Sequence, residues 1–176
     1  MKFDGEMWYA MRVTYGRELK FQELLKKAGF ETFVPMKRKK VEKAGKQVTV
    51  VVPAVSNLCF VNTEKPDLDE FINDLGEGCP ARYIWDRANN RPALIADKVM
   101  RDFITVCTVM ADDALYLKDM GEKLRAGRKV RIKEGPFKGV EGVVVRVKRS
   151  RRVVVELPGM LAVATTYVQP LDLELI

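Results

Sequence analysis

The sequence predicts an α+β protein in two parts, an antiparallel sheet covered by helices on one face and then a small all-β barrel. Three observations carry this. Up to about residue 110, short β-branched and aromatic runs interleave with amphipathic stretches of helical period. From residue 128 onward only alternating, valine-rich runs remain. The net charge of +7 is also divided unevenly: residues 121–176 hold 12 Lys+Arg against 6 Asp+Glu, a net of +6, and residues 1–120 hold 19 against 18, a net of +1.

Met7 to Thr14 alternates and is rich in aromatic and branched side chains, so it reads as a strand. Phe21, Leu24, Leu25 and Ala28 recur at helical spacing, and Gly29 suits the position just past a helix end. Residues 31–39 return to a strand, 43–46 turn, and 47–61 form a long strand bent at Pro53, which has no N–H for a ladder. Pro66 and Asp67 open a second helix with Leu68, Phe71, Ile72 and Leu75 on one face, closed by Gly76. Arg82 to Asp86 is a short strand and residues 88–92 a turn. A third helix starts near Asp97 with Val99, Phe103, Val106 and Met110 on its stripe. This order, β-α-β-β-α-β plus a helix, is the ferredoxin-like split βαβ arrangement.

Residues 113–127 lose the pattern and read as a linker between domains at 1–112 and 128–176, with Leu115 to Leu117 available to pair. Beyond it, strands are expected at 128–133, 140–148, 152–157, 161–166 and 168–170, an SH3-like barrel. Lys129, Arg131 and Lys133 interleave with Val130 and Ile132, and Arg146 and Lys148 with Val143, Val145 and Val147. One face is therefore dry and the other cationic. A basic surface of this kind either solubilises a small barrel or meets an anionic partner.

Several classes are excluded or disfavoured. The chain has no histidine, which rules out histidine-based triads and histidine metal sites. Cys59, Cys79 and Cys107 are odd in number, lack CxxC spacing and read as buried, reduced thiols, so no metal or cofactor is expected. No Ser lies in a GxSxG context and no carboxylates form an acid/base pairing, so no enzyme is expected. No apolar run approaches the ~18 residues of a membrane span, and MKFDGEMWYAM is too acidic for a signal peptide. A cytoplasmic, monomeric protein is the expectation.

Val130-Arg131-Ile132, Glu134 to Gly139 and Gly142 resemble the KOW motif, which also occurs in ribosomal proteins. Its glycines permit positive φ, Pro136 stiffens the loop and Phe137 anchors it. Trp8 to Val13, the Glu18–Ala28 helix, Phe33-Val34-Pro35 and Arg91 to Lys98 resemble the NusG N-terminal domain. In order and extent, residues 7–170 are similar to the NusG family of bacterial transcription elongation factors.

The resemblance implies a first domain that docks on the clamp helices of RNA polymerase, reaches across the DNA channel and disfavours paused states. It implies a KOW domain that recruits a ribosomal small-subunit protein or a termination factor. Where the family carries Phe-Pro-Gly-Tyr or Phe-Pro-Asn-Tyr, this chain has Val55-Ser56-Asn57-Leu58, then Cys59-Phe60-Val61. The expected polymerase contacts are Trp8, Arg12, Val55, Leu58 and Phe60, with Tyr83 or Trp85 beside them; plain core is the alternative for half of these. Lys37, Arg38, Lys39, Lys40, Lys43 and Lys46 are placed at a hairpin tip, as a solvated turn or as contacts to nucleic-acid phosphates. Gly135, Pro136, Phe137, Lys138 and Gly139 form the KOW loop, with Lys148, Arg149, Arg151 and Arg152 on a second turn facing RNA or an acidic protein.

The substituted segment is similar to specialised paralogues of the Bacteroides type tied to surface-polysaccharide operons. A housekeeping factor and a ribosome-associated KOW RNA-binding protein stay open as alternatives. The valine-rich strands speak against a C-terminal domain that refolds into helices.

Overall fold

In a computed structural model, described over residues 7–118 and 120–176, the chain divides into two compact units, the first ending at Asp97 and the second running from Lys98 to Ile176. The expectation of a leader-free N-terminus lies outside the described residues.

The first unit is α+β. Strands β1 (Met7–Val13), β2 (Glu31–Phe33), β5 (Leu58–Asn62) and β6 (Ala81–Tyr83) form an antiparallel sheet in the order β2-β5-β1-β6. With helix α1 (Glu18–Lys27) between β1 and β2 and helix α2 (Lys65–Leu75) between β5 and β6, this is the ferredoxin-like order. Tyr9, Met11 and Val13 of β1 and Cys59 and Val61 of β5 share a core with Phe21 and Leu25 of α1 and Leu68 of α2. The period-3.6 spacing thus does what it implies, except that Ala28 caps the helix and is exposed. Gly29 and Gly76 follow the two helix ends at φ +90° and +66°, where a Cβ would be strained.

The continuous strands expected at 31–39 and 47–61 are each broken. Strands β3 (Met36–Lys43) and β4 (Lys46–Pro53) leave the main sheet as a separate two-stranded ribbon. Val34-Pro35 and Pro53 interrupt the ladder, because proline supplies no donor, and Asn57 turns the chain at φ +62° before β5 begins. A second small hairpin pairs β7 (Trp85–Asp86) with β8 (Arg91–Pro92), and β9 (Leu94–Ala96) returns to β1. The Asn89 side chain donates to the Asp86 carboxylate at 2.7 Å, and with the Asn89 and Ala88 amides at 3.2 and 3.1 Å it holds Asp86 below the usual carboxylate range.

Helix α3 (Asp97–Met110) leads into the second unit and buries Met100, Phe103, Val106, Cys107 and Met110; Val99 of the expected stripe is half-buried. The segment expected as a linker is structured. Strand β10 (Leu115–Leu117) pairs with strand β14 (Leu161–Tyr167), and helix α4 (Gly121–Ala126) sinks Leu124 into the core. Strands β11 (Arg128–Ile132), β12 (Glu141–Val147), β13 (Ser150–Leu157), β14 (Leu161–Tyr167) and β15 (Leu173–Leu175) complete an antiparallel sheet in the order β10-β14-β13-β12-β11-β15. Residues 170–172, near the last expected strand, instead form a 3-10 turn ahead of β15. Val145, Val147, Val154, Ala162 and Ala164 pack with Leu124 on one side. Val130, Ile132, Val153, Val155 and Val163 are also buried. Among the described residues, no helix is long and apolar enough to cross a membrane.

Candidate functional site

Register decides which expected contacts can act together. Ala10 opposes Phe60 and Arg12 opposes Leu58 across β1 and β5, and Ile95 opposes Trp8. Trp8, Ala10, Arg12, Leu58 and Phe60 thus share the sheet face away from α1 and α2. On that face Trp8, Ala10 and Phe60 have no exposed surface and Leu58 has 6%. The Trp8 indole Nε1 donates to Asp97 Oδ1 at 2.9 Å. Only Arg12 of this group is exposed.

Tyr83 pairs with Met11 and so faces the helices, on the opposite side from Trp8. Its hydroxyl donates to Asp69 Oδ1 at 2.7 Å, its ring meets Tyr9 edge-on at 5.5 Å, and Lys65 Nζ lies 5.5 Å from its centroid. Burial, and then the hydrogen bond to Asp69, push the Tyr83 hydroxyl far above an ordinary phenol. The Lys65 hydrogen bond holds Asp69 below the usual range. Tyr83 is therefore committed within the unit. Val55 is half-buried in the bend before β5.

Trp85 is the opposite case. Its side chain is 51% exposed on the β7–β8 hairpin. Arg82, absent from the expected contacts, is exposed and directly opposes Arg12, and neither arginine has a carboxylate partner among the described residues. The signal for Arg82 was register alone, and one residue's error in pairing puts it on the other face.

The basic run extends along β3 rather than sitting at the tip; Lys43 and Lys46 alone flank the Ala44-Gly45 turn. On one ribbon face Lys37, Lys39, Val41 and Lys43 oppose Val52, Val50, Val48 and Lys46. The other face carries Arg38 and Lys40 opposite Val51 and Thr49. Lys37, Lys39, Lys40, Lys43 and Lys46 are exposed and make no ion pair among the described residues.

In the second unit Gly135 and Gly139 have φ of +85° and +86°, Phe137 is 6% exposed, and Lys138 N donates to Gly135 O at 3.1 Å. The loop is thus anchored by Phe137, with Pro136 and Lys138 outward. Lys98 Nζ reaches Gly139 O at 2.9 Å and the Asp102 carboxylate at 2.6 Å, and Asp102 also accepts from Glu141 N at 3.1 Å. Arg131, beside the loop, is paired with Glu141 at 2.8 Å and Glu174 at 3.4 Å. Lys148, Arg149 and Arg151 are exposed with no such partner, and half-buried Arg152 donates to Ser150 Oγ and Thr165 O, both at 3.1 Å.

Among the described residues, no group of three or more potential ligands could hold a metal ion. The cysteines are free. Cys59 and Cys107 are buried as expected and Cys79 is half-buried.

The family profile described as "Transcription termination factor nusG" matches residues 6–104, and the KOW motif profile matches residues 126–156. No curated protein sequence matches the chain. The first profile covers more than half of the 176 residues and the second follows it in order, so the chain belongs to the NusG family, as a non-enzymatic protein of transcription with a NusG domain and a KOW domain.

Proposed function

We propose that the protein is a transcription elongation and antitermination factor. Residues 1–112 bind the RNA polymerase clamp region and suppress pausing or termination, and residues 128–176 recruit a partner such as a ribosomal small-subunit protein or a termination factor. The observation that carries this reading is the directly opposed, unpaired Arg12 and Arg82 on the sheet of a NusG-family domain. Like charges held side by side cost stability, and an acidic partner surface repays the cost. Trp85 supplies the exposed aromatic anchor nearby, and Trp8, Leu58 and Phe60 are the buried frame that holds Arg12 in place. The β3–β4 ribbon adds contacts to the nucleic acid of the elongation complex. A factor that binds the elongating state more tightly than the paused one shifts their populations by that difference.

Val55-Ser56-Asn57-Leu58, in place of the family's aromatic segment, supports a specialised, operon-specific paralogue. The test is single-round transcription by a bacterial RNA polymerase on a template with one strong pause and one terminator. The wild-type chain should shorten the pause, and the Arg12→Ala/Arg82→Ala double variant should not. An unchanged pause with no binding of polymerase would sink the reading.

A further inference from the structure

The β12–β13 hairpin of the second unit combines three features that each cost stability. Its two-residue turn consists of Lys148 and Arg149 at φ +46° and +69°, where Asn-Gly is favoured and a long side chain is strained. Arg146 and Arg151 stand directly opposite one another in the ladder, without a carboxylate partner among the described residues. Arg152, half-buried, has its guanidinium fixed by Ser150 Oγ and Thr165 O, both neutral acceptors.

Beside them the pairing of β13 with β14 is irregular between Arg152 and Val154, and two residues of β14, Thr165 and Thr166, oppose one of β13. Thr165 Oγ1 fills the gap by accepting from Val153 N at 3.1 Å and donating to Thr166 O at 2.7 Å. Bulges of this kind re-aim the side chains that follow. Here the next residue is Tyr167, 57% exposed and opposite Arg152. A cleft of about 150 Å³ lies between Tyr167, Arg151 and Arg152, with an apolar wall that includes Val144, Pro170 and Leu173.

We propose that this cleft is a binding site for single-stranded RNA, with one unpaired base stacked on Tyr167 between the apolar wall and the arginines, and the flanking phosphates on Arg146, Lys148, Arg149 and Arg151. The cations draw phosphate. An exposed ring over an apolar cleft admits an unstacked base, which a duplex does not offer and an acidic peptide does not need. The site is independent of polymerase docking, since no residue of the first unit takes part.

The test is fluorescence anisotropy with a labelled single-stranded RNA of about ten nucleotides, using the full chain with Lys37→Ala and Lys39→Ala to weaken the ribbon's share. Tyr167→Ala should weaken binding about five- to a hundred-and-fifty-fold, the effect of losing one base–aromatic stack, and Tyr167→Phe should bind within about twofold of the parent. Arg146→Ala/Arg151→Ala should weaken binding and flatten its salt dependence. Equal affinity of Tyr167→Ala and parent, equal competition by an RNA duplex or by polyglutamate, or tighter binding of single-stranded DNA than RNA would each overturn the proposal. Polymerase is absent from this assay, so a failure here leaves the elongation reading standing.

Discussion

Glu18, buried in the first turn of α1, accepts a hydrogen bond from the backbone N–H of Asn57 in the bend between β4 and β5. Asn57 is held at φ +62°, which Asn tolerates better than most residues. The contact ties the root of the ribbon to the helical layer and fixes where β5 begins. We predict that Glu18→Ala costs about 1–3 kcal/mol by leaving the amide without its acceptor. Glu18→Gln, which keeps an oxygen there, should cost less. Urea denaturation of the two variants checks this, and equal losses would mean the hydrogen bond is immaterial.

The buried frame and the exposed anchor should separate experimentally. Trp8→Ala removes a fully buried indole and its bond to Asp97, and is expected to cost about 3–5 kcal/mol. Trp85→Ala, half exposed, should leave the melting temperature nearly unchanged while weakening polymerase binding. Full binding by folded Trp85→Ala removes it from the interface.

The phosphate contacts proposed for the ribbon would have a salt signature. Each lysine that neutralises a phosphate contributes about 0.7–0.9 to the slope of log affinity against log salt. Lys37→Ala/Lys39→Ala should therefore reduce the slope for nucleic acid by about 1.5. An unaltered slope would make the ribbon a solvated surface.

The thiols give a pH prediction. Burial pushes Cys59 and Cys107 up to about 12 from an ordinary 9.0. Between those values the unfolded chain has lost these protons and the native chain keeps them, so stability falls as pH rises through that window, by up to about 1.4 kcal/mol per unit for each thiol. Urea midpoints should drop from about pH 8 to pH 10. Native-state labelling should modify Cys79 ahead of the other two, and equal rates for all three would contradict the burial.

Gly142 is set by proximity, for a Cβ there would lie 2.5 Å from Val154 O and 2.9 Å from Val153 Cγ1. Gly142→Ala should cost about 1–3 kcal/mol through forced separation of β12 and β13. A thermal melt matching wild type would show that the sheet relaxes without penalty.

The order of elements in both units was legible in the sequence because helical and strand periods are local properties, and Gly29, Gly76, Gly135 and Gly139 mark their own turns. The breaks were less so. Pro53 announced a bend, but the departure of β3 and β4 as a separate ribbon depends on what pairs with β5, which is a long-range fact. The same holds for the site. Alternation placed Trp8 with Arg12 and Leu58 with Phe60, yet only register reveals that Tyr83 faces the helices and that Arg82 joins Arg12. Residues 113–127 read as a linker, with only Leu115 to Leu117 available to pair, because a three-residue strand and a six-residue helix are too short to show a period. Tyr167 carries no local signal at all, since its exposure follows from the bulge beside it.

The ribbon has a consequence for how the protein survives at high concentration. Both of its strands are edges, and Val48, Val50, Val51 and Val52 make β4 the kind of segment that adds to a copy of itself. Lysines on the facing strand keep two ribbons apart by charge. Alanine variants made to probe ligand contact will thus also be more prone to self-association, and light scattering should accompany every binding curve. Any polyanion that neutralised the same lysines without covering the strands would lower the same barrier, so the ribbon is safest when it is either bare and charged or fully covered.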